Sequence, residues 1–366
     1  MNILMAADFC PPTSGNFIAS LITLARKLRS DGQTVIFAFP EKQRWIDWIT
    51  GEGFEAVIVG KDAMAPDVQF PVLSSLLKQY KIDLIHTHFG MFHHAILHNR
   101  SAIKDVKILI HDHMDFGIRY NLIAYYCKSF FLSAKYAAKN INVISVMQRK
   151  HRSYLFLRKK WYIPNGISFE RYIDHSMTRE ACRSYLGFRS TDKVCLLLGW
   201  DMKRKGLDIA LKAVQRCRES DPCVCLAVLG IGTGPDDSAK EFIRNETGID
   251  PAEPWIKYLD SCEDMFAVHR AIDVYISASR KEAFSYGLLE TISQDTPIVV
   301  SNIPGTRWTD VYTSSFFYST EDAAGCANAI GRALELGRRQ TNSSEIVKAY
   351  NIDGWCRQIM DVYQKL

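Results

Sequence analysis

The sequence predicts an α/β protein made of two Rossmann-like parallel-sheet domains, and three observations carry that prediction. The chain opens with an apolar run at 3–7, a stretch of helical spacing at 17–30 and a second apolar run at 34–39. A strand–helix–strand order of this kind lays parallel strands side by side. A fresh apolar run at 194–199 begins the same pattern again. Between the two lies the turn Ile163-Pro164-Asn165-Gly166-Ile167, and 366 residues leave room for about two cores. The expected boundaries are a first domain over 1–165, a second over 166–349 and a terminal helix over 350–366.

Composition narrows the class. With 23% charged and 47% apolar residues the chain is globular rather than disordered. It starts directly on the first apolar run, without a basic and then apolar leader, and no stretch has 18 apolar residues free of charge. Ten scattered cysteines with no C-x-x-C suggest reduced thiols and a cytoplasmic setting. Residues 1–165 carry 21 Lys/Arg against 12 Asp/Glu, and between Phe116 and Phe169 ten Lys/Arg occur without one acid. Such a block favours an anionic surface.

In chain order, the first run ends at Asp8 and the turn Pro11-Pro12-Thr13-Ser14-Gly15-Asn16, where helix 17–30 begins with Ile18, Leu21, Leu24, Ala25 and Leu28 on one face. Gly15-Asn16 therefore sits at the strand end where ligands bind in parallel sheets. Runs at 56–59, 84–86 and 108–110 follow. The last two end in His86-Thr87-His88 and His111-Asp112-His113, with His93 and His94 close by. These histidines invite a metal reading, but no H-E-x-x-H or comparable spacing accompanies them, so hydrogen bonding to a substrate is preferred and no metal is expected. His86, His88, His113 and Asp115 are the acceptor-side candidates.

The 119–162 region mixes aromatics with the basic block: Tyr120, Tyr125, Tyr126, Phe130 and Phe131, then Tyr154-Leu155-Phe156-Leu157 between Arg149-Lys150-His151-Arg152 and Arg158-Lys159-Lys160-Trp161. This pattern fits an interfacial anchor on anionic lipid. The plainer reading is a core face with solvated charges, and the membrane reading is preferred. Nucleic acid is not expected, because no recognised motif accompanies the charge.

In the second half, Lys205-Gly206 precedes a helix from Leu207, as a phosphate-binding lysine does. Gly230-Ile231-Gly232-Thr233-Gly234 is a glycine-rich strand exit, and Tyr258 lies near the end of the next run. The most informative stretch runs from Ser279 to Gly305. An apolar run, 274–277, leads into a bend with Glu282, then Phe284-Ser285-Tyr286-Gly287, a helical segment containing Glu290, the stop Thr296-Pro297 and a buried run at 298–300. The unpaired N–H groups of residues 284–287 suit a phosphate, and the flanking carboxylates suit sugar hydroxyls.

Glu282-x7-Glu290, with Pro297, Val299 and Gly305 downstream, resembles the nucleotide-sugar site of the retaining GT-B glycosyltransferases of family 4, the glycosyl transferases group 1, of the bacterial surface-polysaccharide type. Gly15, His111, Asn165-Gly166, Lys205-Gly206 and the Gly230 loop match that family's landmarks in order. The resemblance implies two Rossmann-like domains facing a central cleft and a last helix crossing back to the first domain. It implies that Glu282 holds the donor sugar, Glu290 the ribose and Lys205 the diphosphate, that the Gly230 loop and Tyr258 flank base and ribose, and that His111 contacts the sugar. The family's glycine pair is Gly15-Asn16 here. Its second diphosphate cation, an arginine, is replaced by Trp200, leaving Arg204 or Lys203 to supply the charge.

The expectation is metal-independent transfer from a nucleoside-diphosphate sugar to a lipid-linked or saccharide acceptor, peripheral on the inner face of the cell membrane. No Asp-x-Asp motif is present, and no cofactor is expected. A nucleotide-sugar epimerase of the same fold and a non-catalytic nucleotide-sugar-binding protein are the alternatives.

Overall fold

The structure is a computed structural model and describes residues 1–60, 66–113, 122–168, 176–232, 234–261 and 265–366. Asp115 lies outside them. The chain divides into two compact units, Met1–Gly166 with Ile352–Leu366, and Ile167–Asn351.

The first unit is a seven-stranded sheet of β1 (Asn2–Ala7), β2 (Thr34–Phe39), β3 (Glu55–Ile58), β4 (Leu84–His88), β5 (Lys107–Asp112), β6 (Asn142–Ser145) and β7 (Lys160–Tyr162). Their order is β3-β2-β1-β4-β5-β6-β7 and every pair is parallel. From Ile3 to Ala7 every side chain of β1 is buried, as expected for a strand covered on both faces. On one face Leu4, Ala6, Ile85, Ile108 and Ile110 pack with Leu73, Phe92 and Tyr154. The helix Gly15–Ser30 buries Phe17, Ile18, Leu21 and Leu28, and the helix Ile352–Lys365 buries Trp355, Ile359, Val362 and Tyr363. Lys27 on the first reaches Asp353 on the second at 2.8 Å.

The second unit is a six-stranded parallel sheet of β8 (Lys193–Leu198), β9 (Val224–Leu229), β10 (Ile256–Leu259), β11 (Val274–Ser277), β12 (Ile298–Ser301) and β13 (Ser315–Tyr318). The order is β10-β9-β8-β11-β12-β13. Both sheets are doubly wound, and each reverses direction beside its first strand: between β1 and β4, and between β8 and β11. The crevice outside the strand ends at such a reversal is where α/β sheets bind ligands.

One part of the sequence reading is corrected. The basic 119–162 region is not helix and loop alone; it contributes β6 and β7 to the sheet. Tyr154 and Leu157 are core residues, with the Tyr154 hydroxyl bonded to Asp112, while Leu155 and Phe156 between them face outward. The polar and basic residues around 142–145 and 160–162 hid two short strands, the inner β6 and the edge strand β7.

A buried ionic clamp ties the loops after β8 and β11 together. Arg280, only 8% exposed, donates to both carboxylate oxygens of Asp208 at 2.7 and 2.6 Å and to Glu321 at 2.6 Å. Its side chain also donates to the carbonyl of Lys203 at 2.5 Å, and its backbone N–H to that of Arg204 at 2.7 Å. Removing one partner from such a network leaves a buried charge uncompensated. Arg280→Ala is expected to cost about 3–5 kcal/mol in denaturant unfolding, and Arg280→Ala/Asp208→Ala less than the sum of the two single changes. A loss below about 1 kcal/mol would mean that the cluster behaves as a solvated surface pair.

Candidate functional site

In the second unit the loop after β8 contains one helical turn, Met202–Lys205, with Asp201 as its N-cap. Gly206 ends it at φ +73°, and a Cβ there would come within 2.1 Å of the Ala278 carbonyl. The loop can therefore lie against the end of β11 only because this residue is glycine. The contact brings Lys205 to Glu282: Lys205 Nζ donates to Glu282 Oε2 at 2.6 Å, with both side chains largely buried. Arg204 Nη1 stands 3.9 Å from the same carboxylate, and Arg204 Nε donates to Asp201 at 2.7 Å. Burial pushes the Glu282 carboxyl up, but Lys205 and Arg204 outweigh it and hold the group below the usual carboxylate range.

Arg204 and Lys203 take different partners here. Lys203 turns to Glu246 at 2.7 Å. Arg204 lies over the Trp200 ring, 4.5 Å from its centroid, and Lys205 Nζ is 5.5 Å from that centroid. Trp200, 62% exposed, stands where an arginine was expected and instead stacks against Arg204 beside Lys205.

Ser285 precedes the helix Tyr286–Ile292 without making a side-chain capping bond. Glu290, buried on that helix, has its Oε2 3.2 Å from His269 Nε2, and His269 Nδ1 lies 3.0 Å from Thr291 Oγ1. A Cβ at Gly305 would come within 1.6 Å of the Glu282 carbonyl, so the Glu282 loop rests directly on that glycine. Gly230 follows β9 at φ +103° against Trp200. The Tyr258 hydroxyl donates to the Pro251 carbonyl at 2.8 Å. Phe284 stacks on Trp308, with ring centroids 4.5 Å apart. Lys205, Arg204 and Glu282 are thus brought into contact, while Glu290 pairs with His269 and Tyr258 with Pro251. His269 was missed: nothing in its local sequence, on the helix Met265–Ala271, marks it as a partner of Glu290. Arg280 and Asp208 were also missed; a charge pair buried between distant segments leaves no local pattern.

In the first unit Gly15 opens its helix at φ +53° and Asn16 is buried in the first turn. His86 and His88 share one face of β4, and β5 sets His111 directly opposite His88. His113 follows His111 by two residues and its Nε2 lies 2.9 Å from His88 Nδ1. His86 Nδ1 is 2.6 Å from the Tyr363 hydroxyl. His86, His88 and His111 are buried, and Phe17 packs edge-on to His88 and His113. Burial and the neighbouring rings keep the three imidazoles neutral: His86 is pushed down to about 3, and His88 and His111 fall well below the usual imidazole value.

Comparison with known proteins bears on the second unit and on the fold. Residues 192–336 match the family described as Glycosyl transferases group 1. Mannosylfructose-phosphate synthase of Agrobacterium fabrum is 29% identical over 147 residues, 38% of this chain and 32% of that protein, so the chain spans about a third of that relative. Alpha-monoglucosyldiacylglycerol synthase of Streptococcus pneumoniae is 23% identical over 356 residues, 89% of this chain and 77% of that protein. Among solved structures, Anabaena Alr3699/HepE in complex with UDP-glucose has a TM-score of 0.78 at 16% identity, covering 100% of both chains. Residues 192–336 therefore carry the group 1 glycosyl transferase signature, within a chain of two Rossmann-like units that has the GT-B fold.

Proposed function

We propose that this protein is a retaining glycosyltransferase that moves a sugar from a nucleoside-diphosphate sugar to a hydroxyl of a lipid-linked saccharide during surface-polysaccharide assembly. The observation that carries the reading is the Lys205–Glu282 contact at the ends of β8 and β11, with Arg204 beside it. A fixed ammonium and guanidinium next to a carboxylate can take a diphosphate and a sugar hydroxyl at adjacent positions. As the glycosidic bond breaks, negative charge gathers on the leaving diphosphate and the sugar becomes oxocarbenium-like. Lys205, Arg204 and the amides of residues 284–287 are set to stabilise that charge without a metal ion. Glu282 accepts from the sugar and Glu290, held by His269, from the ribose. Gly15 and Asn16 are assigned to the donor, His111 to its sugar, and His86, His88, His113 and Asp115 to the acceptor side. UDP and UDP-glucose complexes of Alr3699/HepE support a nucleotide-sugar donor.

The lipid-side reading rests on a narrower patch than the sequence suggested. Phe131 (71% exposed) and Leu155 (64%) stand outward beside Phe130 and Phe156, whose rings are 4.7 Å apart. Lys135, Arg152, Arg158 and Lys159 are exposed in the same region. Exposed apolar tips ringed by cations match an anionic bilayer surface, and the name of the pneumococcal relative refers to a diacylglycerol lipid. No helix of the described residues is long and apolar enough to cross a membrane.

The donor assignment is tested by thermal shift across nucleoside-diphosphate sugars. One donor should stabilise the wild type but neither Lys205→Ala nor Glu282→Ala; no shift at millimolar concentrations with any donor would overturn the site. With that donor, Lys205→Ala should lower kcat/KM by about 10²–10³-fold, Arg204→Ala by less, and Lys203→Ala hardly at all. The anomeric configuration of the product, read by NMR, tests retention. Phe131→Ser/Leu155→Ser should lose flotation with anionic vesicles while donor binding stays unchanged; equal flotation of variant and wild type would remove the patch from the membrane reading.

A further inference from the structure

The three histidines His86, His88 and His111 have an arrangement that sugar recognition does not explain. One ligand-capable nitrogen from each ring lies within 4.8 Å of those of the other two, and the side chains are almost wholly inaccessible. His86 Nε2, His88 Nε2 and both ring nitrogens of His111 have no hydrogen-bond partner among the described residues. A buried nitrogen left without a partner is costly, and so many on adjacent side chains call for an occupant. The outer nitrogens are supported: Tyr363 Oη lies 2.6 Å from His86 Nδ1, and His113 Nε2 lies 2.9 Å from His88 Nδ1. With Nδ1 protonated and donating outward on both rings, Nε2 is the nitrogen of each that is left to bind an ion. Metal-binding histidines are held in this way by the groups around them.

We propose that His86, His88 and His111 form a binding site for a divalent transition-metal ion, Zn²⁺ above all, with a fourth position left for water or an anion. Three neutral imidazoles are a recognised zinc ligand set, and a set made only of imidazole disfavours Mg²⁺ and Ca²⁺. Zn–N bonds of about 2.0–2.1 Å place tetrahedral ligand atoms roughly 3.4 Å apart, so the rings would have to draw closer to close the site. Burial already keeps all three rings neutral, the form that binds metal. The ion is not part of sugar transfer. It would occupy His86, His88 and His111, so zinc should inhibit transfer; that consequence alone rests on the sugar and acceptor roles proposed above for these residues.

The test uses the full chain, stripped with chelator, dialysed and titrated with Zn²⁺ and with Co²⁺. One Zn²⁺ per chain should remain through gel filtration and raise Tm, and Co²⁺ should show the visible ligand-field absorption of a nitrogen-rich tetrahedral site. His88→Ala and His111→Ala should abolish retention and the cobalt spectrum, the exposed His98→Ala should keep both, and Tyr363→Phe should weaken affinity about tenfold. If an alanine variant fails to fold, His88→Asn and the wild-type cobalt spectrum decide. No retained metal, an octahedral cobalt spectrum, or retention unchanged in the folded His88 and His111 variants would overturn the site. Because these readouts need no donor or acceptor, their failure is distinct from failure of the transferase reading.

Discussion

The Arg280 guanidinium, buried between Asp208 and Glu321, fixes how the loop after β8 meets the loop after β11. Its bonds to the carbonyls of Lys203 and Arg204 set the path of the cationic turn, so that Lys205 and Arg204 face Glu282 and Lys203 does not. Two glycines complete the constraint from opposite sides. Gly206 lets the turn touch Ala278, and Gly305 lies under the Glu282 carbonyl. An ion cluster of this kind is weak evidence for stability, since desolvation offsets much of its attraction. Its value here is positional: the charged groups proposed to meet a diphosphate are held by backbone contacts rather than by flexible stems.

Much of this organisation was legible. Apolar runs marked the buried strands, and the polar residues after them marked the ligand edge. That Lys205 and Glu282 each follow a strand end was readable from the sequence. Their contact was not, because it depends on β8 and β11 lying side by side where the sheet reverses direction. Nor was the choice between Arg204 and Lys203. Consecutive residues of one helical turn point about 100° apart, and only the packing of that turn decides which faces Glu282. The Trp200 substitution looked like a lost cation; in the structure it stacks on the cation beside it. The two short strands β6 and β7 were hidden because three- or four-residue strands among basic residues lack the long apolar signal of a longer buried strand.

The histidines show the same limit from the other side. Two H-x-H pairs were plain in the sequence, and the search for a metal pattern looked for helical spacing. Strands alternate sides with a period of two, so H-x-H on neighbouring parallel strands places the rings on one face, where β4 and β5 bring His88 and His111 opposite each other. A pattern matched to the strands already expected at 84–86 and 108–110 would have found the cluster. The exposed Phe131 and Leu155 needed the structure as well, because Tyr154 and Leu157, equally apolar, turned out to be core.

The chain passes between its two units twice, once after Gly166 and once after Asn351, and the two passes run side by side, joined by the Ile167 N–H bonded to the Tyr350 carbonyl at 2.9 Å. The order of synthesis follows from this. All of Ile167–Asn351 emerges before the helix Ile352–Lys365, which supplies Trp355, Ile359 and Tyr363 to the core begun at Met1. The second unit can therefore close while the first still exposes the apolar surface that this helix covers. During translation, the earlier-made half is the one exposed longest to aggregation and the one in greater need of chaperone protection.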